Sequence, residues 1–227
     1  MNELLFIAHV FWVSGFAFLC RKKSVTQQTV LMVMYAVLGN VMVLKQMKLF
    51  GLIVTTSDVY AVGVILVLNY IREAYDDDAV HQAMSYSFFA LFILALAAYF
   101  QLQYTAATPD EISQAYIYIM EKFPRIVMVS AVVYFMVQYL DNCLFSWLKY
   151  VCNDRYFVVR IATSLLFSQI LDTVLFTIGG LYDVATSLWD IIFFSSMVKI
   201  TCSSFVIIQI AVSHGLSKLG EQYRSKQ

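Results

Sequence analysis

Long apolar stretches, separated by short polar connections, run through almost the whole chain. A helix needs about 20 mainly apolar residues to cross the roughly 30 Å hydrocarbon core of a membrane. The pattern predicts seven such helices, at residues 4–20, 29–48, 51–71, 84–103, 124–149, 157–180 and 188–213. Only the turn Leu49-Phe50-Gly51 lies between the second and the third, so this pair is either a tight hairpin or one broken element. Six spans are therefore the alternative.

Composition places the chain among integral membrane proteins. Hydrophobic residues make up 61% and charged residues 13% of the 227 residues, whereas a soluble domain has about 45–50% and about 25%. We therefore expect an all-α integral membrane protein, a compact bundle of six to seven transmembrane helices that forms one domain over residues 1–227. The net charge of zero gives no basis for nucleic-acid binding.

Lysine and arginine are distributed unevenly between the two sides of the predicted bundle. The first apolar stretch is followed by Arg21-Lys22-Lys23 and has no basic start, so we expect a retained helix with its N-terminus outside. The inner ends then carry Arg21, Lys22, Lys23, Arg72, Lys149, Arg155, Arg160, Lys218, Arg224 and Lys226, and the outer ends carry Lys45, Lys48, Lys122 and Arg125. Because cytoplasmic loops are rich in these residues, the C-terminus is predicted to be cytoplasmic.

A separate short helix is predicted in one outer loop. Thr108-Pro109-Asp110-Glu111 supplies a capping threonine, a proline at the first helical position and a glutamate three residues after the cap. Apolar residues follow on one helix face, namely Ile112, Tyr116, Ile119, Met120 and Phe123. We expect this helix to lie in the membrane interface, ahead of the fifth span.

The motif Q-x-L-D-x-x-L-F occurs twice, as QYLDNCLF (138–145) and as QILDTVLF (169–176). Offsets of three and four place the glutamine, the aspartate and the last phenylalanine of each copy on one helix face. These residues are Gln138, Asp141 and Phe145 in the fifth predicted span and Gln169, Asp172 and Phe176 in the sixth. The connection between these spans is short, so the two polar faces are expected to meet near the membrane midplane.

Ionisable side chains at this depth indicate a binding site. A charge at the bilayer centre costs about 2.5–3.5 kcal/mol on insertion scales, so Asp141, Asp172 and Lys199 each need a partner, water or a proton. A carboxylate accepts two parallel N–H bonds and an amide both donates and accepts, which together match the edge of a guanine-like base. The alternative is that these glutamines and aspartates bond one another or Lys199 and hold the helices together.

The stretch RIATSLLFSQILDTVLF (160–176) closely resembles the signature span of the queuosine-precursor transporter family, formerly grouped with vitamin-uptake transporters. That family shows an arginine, a serine and then Q-x-x-D-T-x-x-F, which here are Arg160, Ser164, Gln169, Asp172, Thr173 and Phe176. Other positions that resemble the family are Asn40, Lys45, the Phe50-Gly51 turn, Glu73 within NYIREAY (69–75), and Lys199. Two positions depart from it: Asn69 replaces a common aspartate, and Asp76 a common glycine.

The resemblance implies a carrier in the bacterial inner membrane that imports 7-deazaguanine bases, the precursors of a modified tRNA nucleoside. Candidate substrates are queuine and its cyano and aminomethyl precursors. With the repeated motif, the predicted substrate-binding residues are Gln138, Asp141, Gln169, Asp172, Phe176, Lys199, Asn40, Lys45, Glu73 and Asn69.

An enzyme, an importer subunit and a scaffold are the alternatives to a carrier. The chain has no G-x(4)-G-K-[ST], H-E-x-x-H or G-x-S-x-G motif, so we expect neither an enzyme nor a cofactor or metal. Its size also suits the substrate-binding subunit of a multi-component vitamin or nucleobase importer. A membrane scaffold without a ligand is the remaining alternative.

Overall fold

The computed structural model describes residues 1–105, 111–152 and 156–224, without the side chains of residues 73, 77, 138, 142, 145, 157, 205, 206 and 209–224. The described residues form seven helices and one β-hairpin: α1 (Asn2–Cys20), α2 (Val25–Met42), β1 (Gln46–Leu49), β2 (Leu52–Thr55), α3 (Asp58–Ala74), α4 (Asp77–Gln103), α5 (Glu111–Val151), α6 (Phe157–Leu181) and α7 (Leu188–Arg224). Within these ranges, α1, α2, α4, α5 and α6 are long and apolar enough to cross a membrane. The fold fits a multi-pass membrane protein.

A β-hairpin replaces the helical structure predicted around residues 46–55. The strands are antiparallel, with Gln46 opposite Thr55 and Leu49 opposite Leu52. Phe50 and Gly51, at the turn, have φ angles of 48° and 86°, the left-handed backbone that two-residue hairpin turns require. The prediction that the second and third spans reach residues 48 and 51 is wrong, because an apolar run of this length fits a short strand as well as a helix end.

Helix α5 also differs from the sequence prediction. It runs without interruption from Glu111 to Val151 and contains Pro124, so the expected surface helix and the fifth span are one element. The predicted cap, Thr108 to Asp110, lies outside the described residues. Proline within a helix removes one backbone hydrogen bond but does not always end it.

The helices alternate in direction, and the hairpin marks one end of the bundle. The Asn2 amide donates to the Lys48 carbonyl at 3.1 Å, and the Gln46 amide donates to the Val184 carbonyl at 2.7 Å. The N-terminus, the hairpin and the α6–α7 connection therefore share this end, here called the hairpin end. The α1–α2 and α3–α4 connections meet at the opposite, basic end, where the Tyr75 hydroxyl donates to the Lys23 carbonyl at 3.2 Å.

Helices α1 to α4 enclose a buried apolar core. The Tyr35 hydroxyl of α2 donates to the Val13 carbonyl of α1 at 2.9 Å. Gly63 of α3 lies so close that a Cβ atom there would come within 2.6 Å of both Tyr35 and Val13. On the outer surface, large apolar side chains such as Phe11 and Trp189 are exposed, as lipid-facing residues are.

Candidate functional site

A cavity of about 370 Å³ lies between helices α2 to α7 and brings most of the predicted site residues together. Those that line it are Asn40, Asn69, Asp141, Gln169, Asp172, Phe176 and Lys199. On α6, Gln169, Asp172 and Phe176 reach the cavity because offsets of three and four keep them on one helix face. The local prediction for this helix therefore agrees with the tertiary structure.

Asp172 of α6 and Lys199 of α7 form an ion pair in the cavity wall. The Lys199 Nζ donates to Asp172 Oδ2 at 2.6 Å, and the two side chains are 13% and 37% exposed, respectively. Each charge thus has the partner that its depth requires. The Asp172 carboxylate is bound by a cation of the chain itself, and a ligand that uses it must displace Lys199 or share the carboxylate with it.

Asp141 of α5 has a different environment. One of its carboxylate oxygens accepts hydrogen bonds from the hydroxyls of Ser164 and Ser168, both buried on α6. The side chain of Gln138, its partner in the repeated motif, lies outside the described residues. Ser168 was not predicted, although it lies one helical turn from both Ser164 and Asp172, a spacing that marks one polar face.

Two asparagines add amide groups to the wall. Asn40 Nδ2 donates to the Ala36 carbonyl at 2.9 Å, and Asn69 Nδ2 donates to the Ile65 carbonyl at 2.7 Å. Both amides are thus held by the preceding turn of their own helix. The Asn40 Oδ1 is buried and has no hydrogen-bond partner among the described residues, so it can accept from a ligand.

Besides Gln138, two predicted site residues are not placed with the others. Lys45 is exposed beside the hairpin and does not line the cavity, because α2 ends at Met42 and the chain turns outward there. Glu73 lies in the last turn of α3, and its side chain is outside the described residues. The lysine that enters the cavity is Lys199, which is on α7.

Aromatic side chains form part of the wall. Phe88 and Tyr134 line the cavity with ring centroids 4.4 Å apart, and Phe176 lies on α6. Phe167, also on α6, is 43% exposed and does not line the cavity. Within the described part of the chain, the aromatic residues that line the cavity are Phe88, Tyr134, Phe176 and the buried Tyr35.

One residue that the sequence-based site omitted lines the cavity near the hairpin. Asp58, the first residue of α3, is 4% exposed and lies beside Thr55 and Ser57 in the cavity wall. In the sequence Asp58 lies towards the outer end of the predicted third span (51–71), where it needs a partner, water or a proton, but no pattern places it in the site. Only the packing of α3 against α7 reveals it.

The two ends of the cavity differ. At the hairpin end, four residues that are at most 3% exposed pack together: Val43, Ile126, Leu181 and Ile191. At the basic end the wall includes Arg72, which is exposed. The cavity is therefore closed by apolar packing towards the hairpin.

A group of polar contacts lies at the same end of the bundle. Arg125 of α5 donates to the Gly180 carbonyl at 2.8 Å and to the Asp183 carboxylate, and Lys122 lies 3.4 Å from the same carboxylate. The hydrogen bond from Arg125 lowers the pKa of Asp183 below its ordinary value. These contacts join α5, on both sides of Pro124, to the end of α6 and the connection that follows it.

The arrangement suits the binding of a small ligand. Among the described residues, no three His, Cys, Asp or Glu side chains come together as metal ligands would. The cavity instead offers carboxylates, amides, hydroxyls and aromatic rings to a small polar ligand in a bundle of apolar helices.

Comparison with known proteins agrees with this description. The family described as Putative vitamin uptake transporter matches residues 55–212, which include α3 to α6 and much of α7. No match was found among curated proteins or among solved structures. The family match covers well over half of the chain, and the helical, apolar fold fits a membrane transporter. The chain therefore belongs to the vitamin uptake transporter family, which is also the queuosine precursor transporter family.

Proposed function

We propose that the chain imports queuosine precursors, the 7-deazaguanine bases, as a carrier with one binding site. The observation that carries the proposal is that Gln169, Asp172 and Phe176 line one cavity from one face of α6. The Asp172 carboxylate would accept two parallel N–H bonds from the base, and the Gln169 amide would bond its carbonyl edge. Phe176 would provide an apolar surface for the planar ring.

The size of the cavity supports a ligand of this kind. At about 370 Å³ it falls in the range of about 300–1,000 Å³ usual for small-molecule sites, towards its lower limit. A single base fits such a volume better than a nucleotide with its phosphates. Asp141 and Asn69, nearer the basic end, are the groups that would meet the substituent on the base.

We infer import from the apolar packing at the hairpin end together with the charge distribution. Basic residues gather at the end that carries Arg21, Lys22 and Lys23, so we infer that this end and the C-terminus face the cytoplasm of a bacterial cell. The conformation described here would then be open inward and closed outward. Opening the apolar packing around Leu181 would admit substrate from outside.

Uptake of labelled 7-deazaguanine bases into a bacterial host that lacks its own importer tests the proposal. Wild type is compared with Asp172→Asn and Asp141→Asn at matched membrane levels, and with Asp78→Asn, an exposed carboxylate on α4, as the control. We expect uptake by wild type and by the control, and loss with Asp172→Asn. Equal uptake by wild type and Asp172→Asn would contradict the assigned site.

Purified protein in liposomes separates a carrier from a subunit or a scaffold. Uptake by the chain alone supports the carrier. Binding without uptake would instead identify the substrate-binding subunit of a multi-component importer. Absence of binding for every base would leave the Asp172–Lys199 pair as a contact that only holds α6 to α7.

A further inference from the structure

Asp58 is a buried carboxylate that the proposed substrate contacts do not use. It is 4% exposed, lines the cavity near the hairpin, and its Oδ2 atom has no hydrogen-bond partner among the described residues. An ionised carboxylate buried without full pairing is costly, and such groups take up a proton instead. The geometry therefore favours a protonated Asp58 in this conformation.

Lys199 lines the same cavity as Asp58. Ser195 and Lys199 of α7 are both part of the wall that Asp58 of α3 shares. They lie one helical turn apart on α7, so both point from one face of that helix into the cavity. In the structure Lys199 is bonded to Asp172, at 2.6 Å. Lys199 and the two carboxylates, Asp58 and Asp172, thus line one cavity.

The other charged groups around the cavity are engaged or distant. Asp190 of α7 accepts from the Ile53 backbone N–H at 2.9 Å, outside the cavity wall. Asp141 accepts from two serines, and Arg72 lies at the basic end, four helical turns along α3 from Asp58. On α1, His9 packs edge-on against Tyr60 and does not line the cavity. Within the described residues, Lys199 is the cation available to Asp58.

We propose that Asp58 is a proton-binding site coupled to the substrate site through Lys199; this inference rests on the proposed function. Without substrate, Lys199 pairs with Asp172 and Asp58 holds a proton. When the N–H groups of the base bond Asp172, the Lys199 ammonium turns to Asp58. Asp58 then releases its proton to solvent and stays as a carboxylate paired with Lys199. One proton leaves for each base that binds.

Infrared spectroscopy of the purified protein without substrate tests the proton on Asp58. The wild-type spectrum minus that of Asp58→Asn should contain the carbonyl stretch of one protonated carboxyl group at neutral pH. In the Asp172→Asn background this band should vanish, because Lys199 is free to pair with Asp58. In the Lys199→Met background it should remain. Asp78→Asn, the exposed control, should not change the band.

Absence of the band from substrate-free wild type would overturn the proposal, whatever the chain transports. So would a band that persists when Asp172 is replaced. This experiment needs no substrate, so it tests the protonation of Asp58 even if no 7-deazaguanine base binds. Failure of every base to bind would instead refute the proposed function.

Binding measurements complete the test. On addition of a neutral 7-deazaguanine base in weak buffer, wild type should release one proton per bound base, and Asp58→Asn should bind without release. Because binding releases a proton, wild-type affinity should rise with pH, by up to about tenfold per unit for one linked proton. Binding to wild type without proton release, with an affinity independent of pH, would refute the coupling while leaving the proposed substrate intact.

Discussion

The Nζ atom of Lys199 lies 2.6 Å from the Oδ2 atom of Asp172, across the interface between α7 and α6. The pair joins the polar face of the repeated motif to a lysine 27 positions further along the chain. The pair therefore connects two helices and also places two charged groups in the cavity wall. Variants that separate these roles are the most informative ones.

Removal of Lys199 alone should destabilise the protein more than removal of the whole pair. Loss of one partner of a buried ion pair costs about 3–5 kcal/mol, and we expect about 1–3 kcal/mol here because the Asp172 side chain is 37% exposed. Lys199→Met should therefore lower the thermal unfolding temperature in detergent, and Asp172→Asn with Lys199→Met should recover part of the loss. A double variant as unstable as the sum of the two single variants would show that the residues do not interact.

Lys45 and Lys199 allow a direct comparison, because both were predicted to bind substrate and only Lys199 lines the cavity. Lys45→Met should keep near wild-type uptake of 7-deazaguanine bases. Lys199→Met should reduce uptake about tenfold or more, since it leaves carboxylates in the cavity without their cation. Equal loss for both variants would mean that Lys45 acts in a conformation other than the one described.

The two serines that bond Asp141 should matter through that carboxylate. The double variant Ser164→Ala, Ser168→Ala removes both hydroxyl donors. We expect the KM for uptake to rise roughly tenfold at matched protein levels. Ser85→Ala, which removes an exposed hydroxyl bonded only to its own helix at 2.8 Å, is the control. Unchanged uptake in the double serine variant would show that transport does not depend on the hydrogen bonds from these serines to Asp141.

Two glycines test the packing of α1, α2 and α3. Gly63→Ala would place a methyl group within 2.6 Å of Tyr35 and Val13, and such overpacking costs about 1–3 kcal/mol. Gly15→Ala meets no atom within 4 Å and should be neutral or stabilising by up to about 1 kcal/mol. Thermal unfolding of both variants in detergent checks the difference. An unaffected Gly63→Ala variant would show that the three helices can separate at this point.

The Asp183 contact should make stability depend on pH. The hydrogen bond from Arg125 lowers the folded pKa of Asp183, so its stabilisation is present above the unfolded value of about 3.9 and is lost as pH falls through the folded value. Asp183→Asn should unfold at a lower temperature than wild type at neutral pH, and the difference should shrink below about pH 4. A difference independent of pH would assign the effect to packing and not to charge.

Several features of the site follow from the sequence because they are local. The offsets within QILDTVLF place Gln169, Asp172 and Phe176 on one face of α6 whatever surrounds that helix. Likewise, the length and apolar composition of α1, α4 and α6 predict membrane-spanning helices without any tertiary contact. The β-hairpin was not predicted because its ten residues are too few to distinguish the two-residue period of a strand from the 3.6-residue period of a helix.

Tertiary structure decided which side chains meet in the cavity. Lys45 and Lys199 were both candidates in the sequence, and the turn of the chain after α2 keeps Lys45 out of the cavity wall. Asp58 is buried in the same cavity because α3 packs on α7, a contact between segments more than a hundred residues apart. The sequence alone determined the apolar helices and the polar face of α6, since composition and helical periodicity are local. The partners of that face depend on how distant helices pack, which no periodicity encodes.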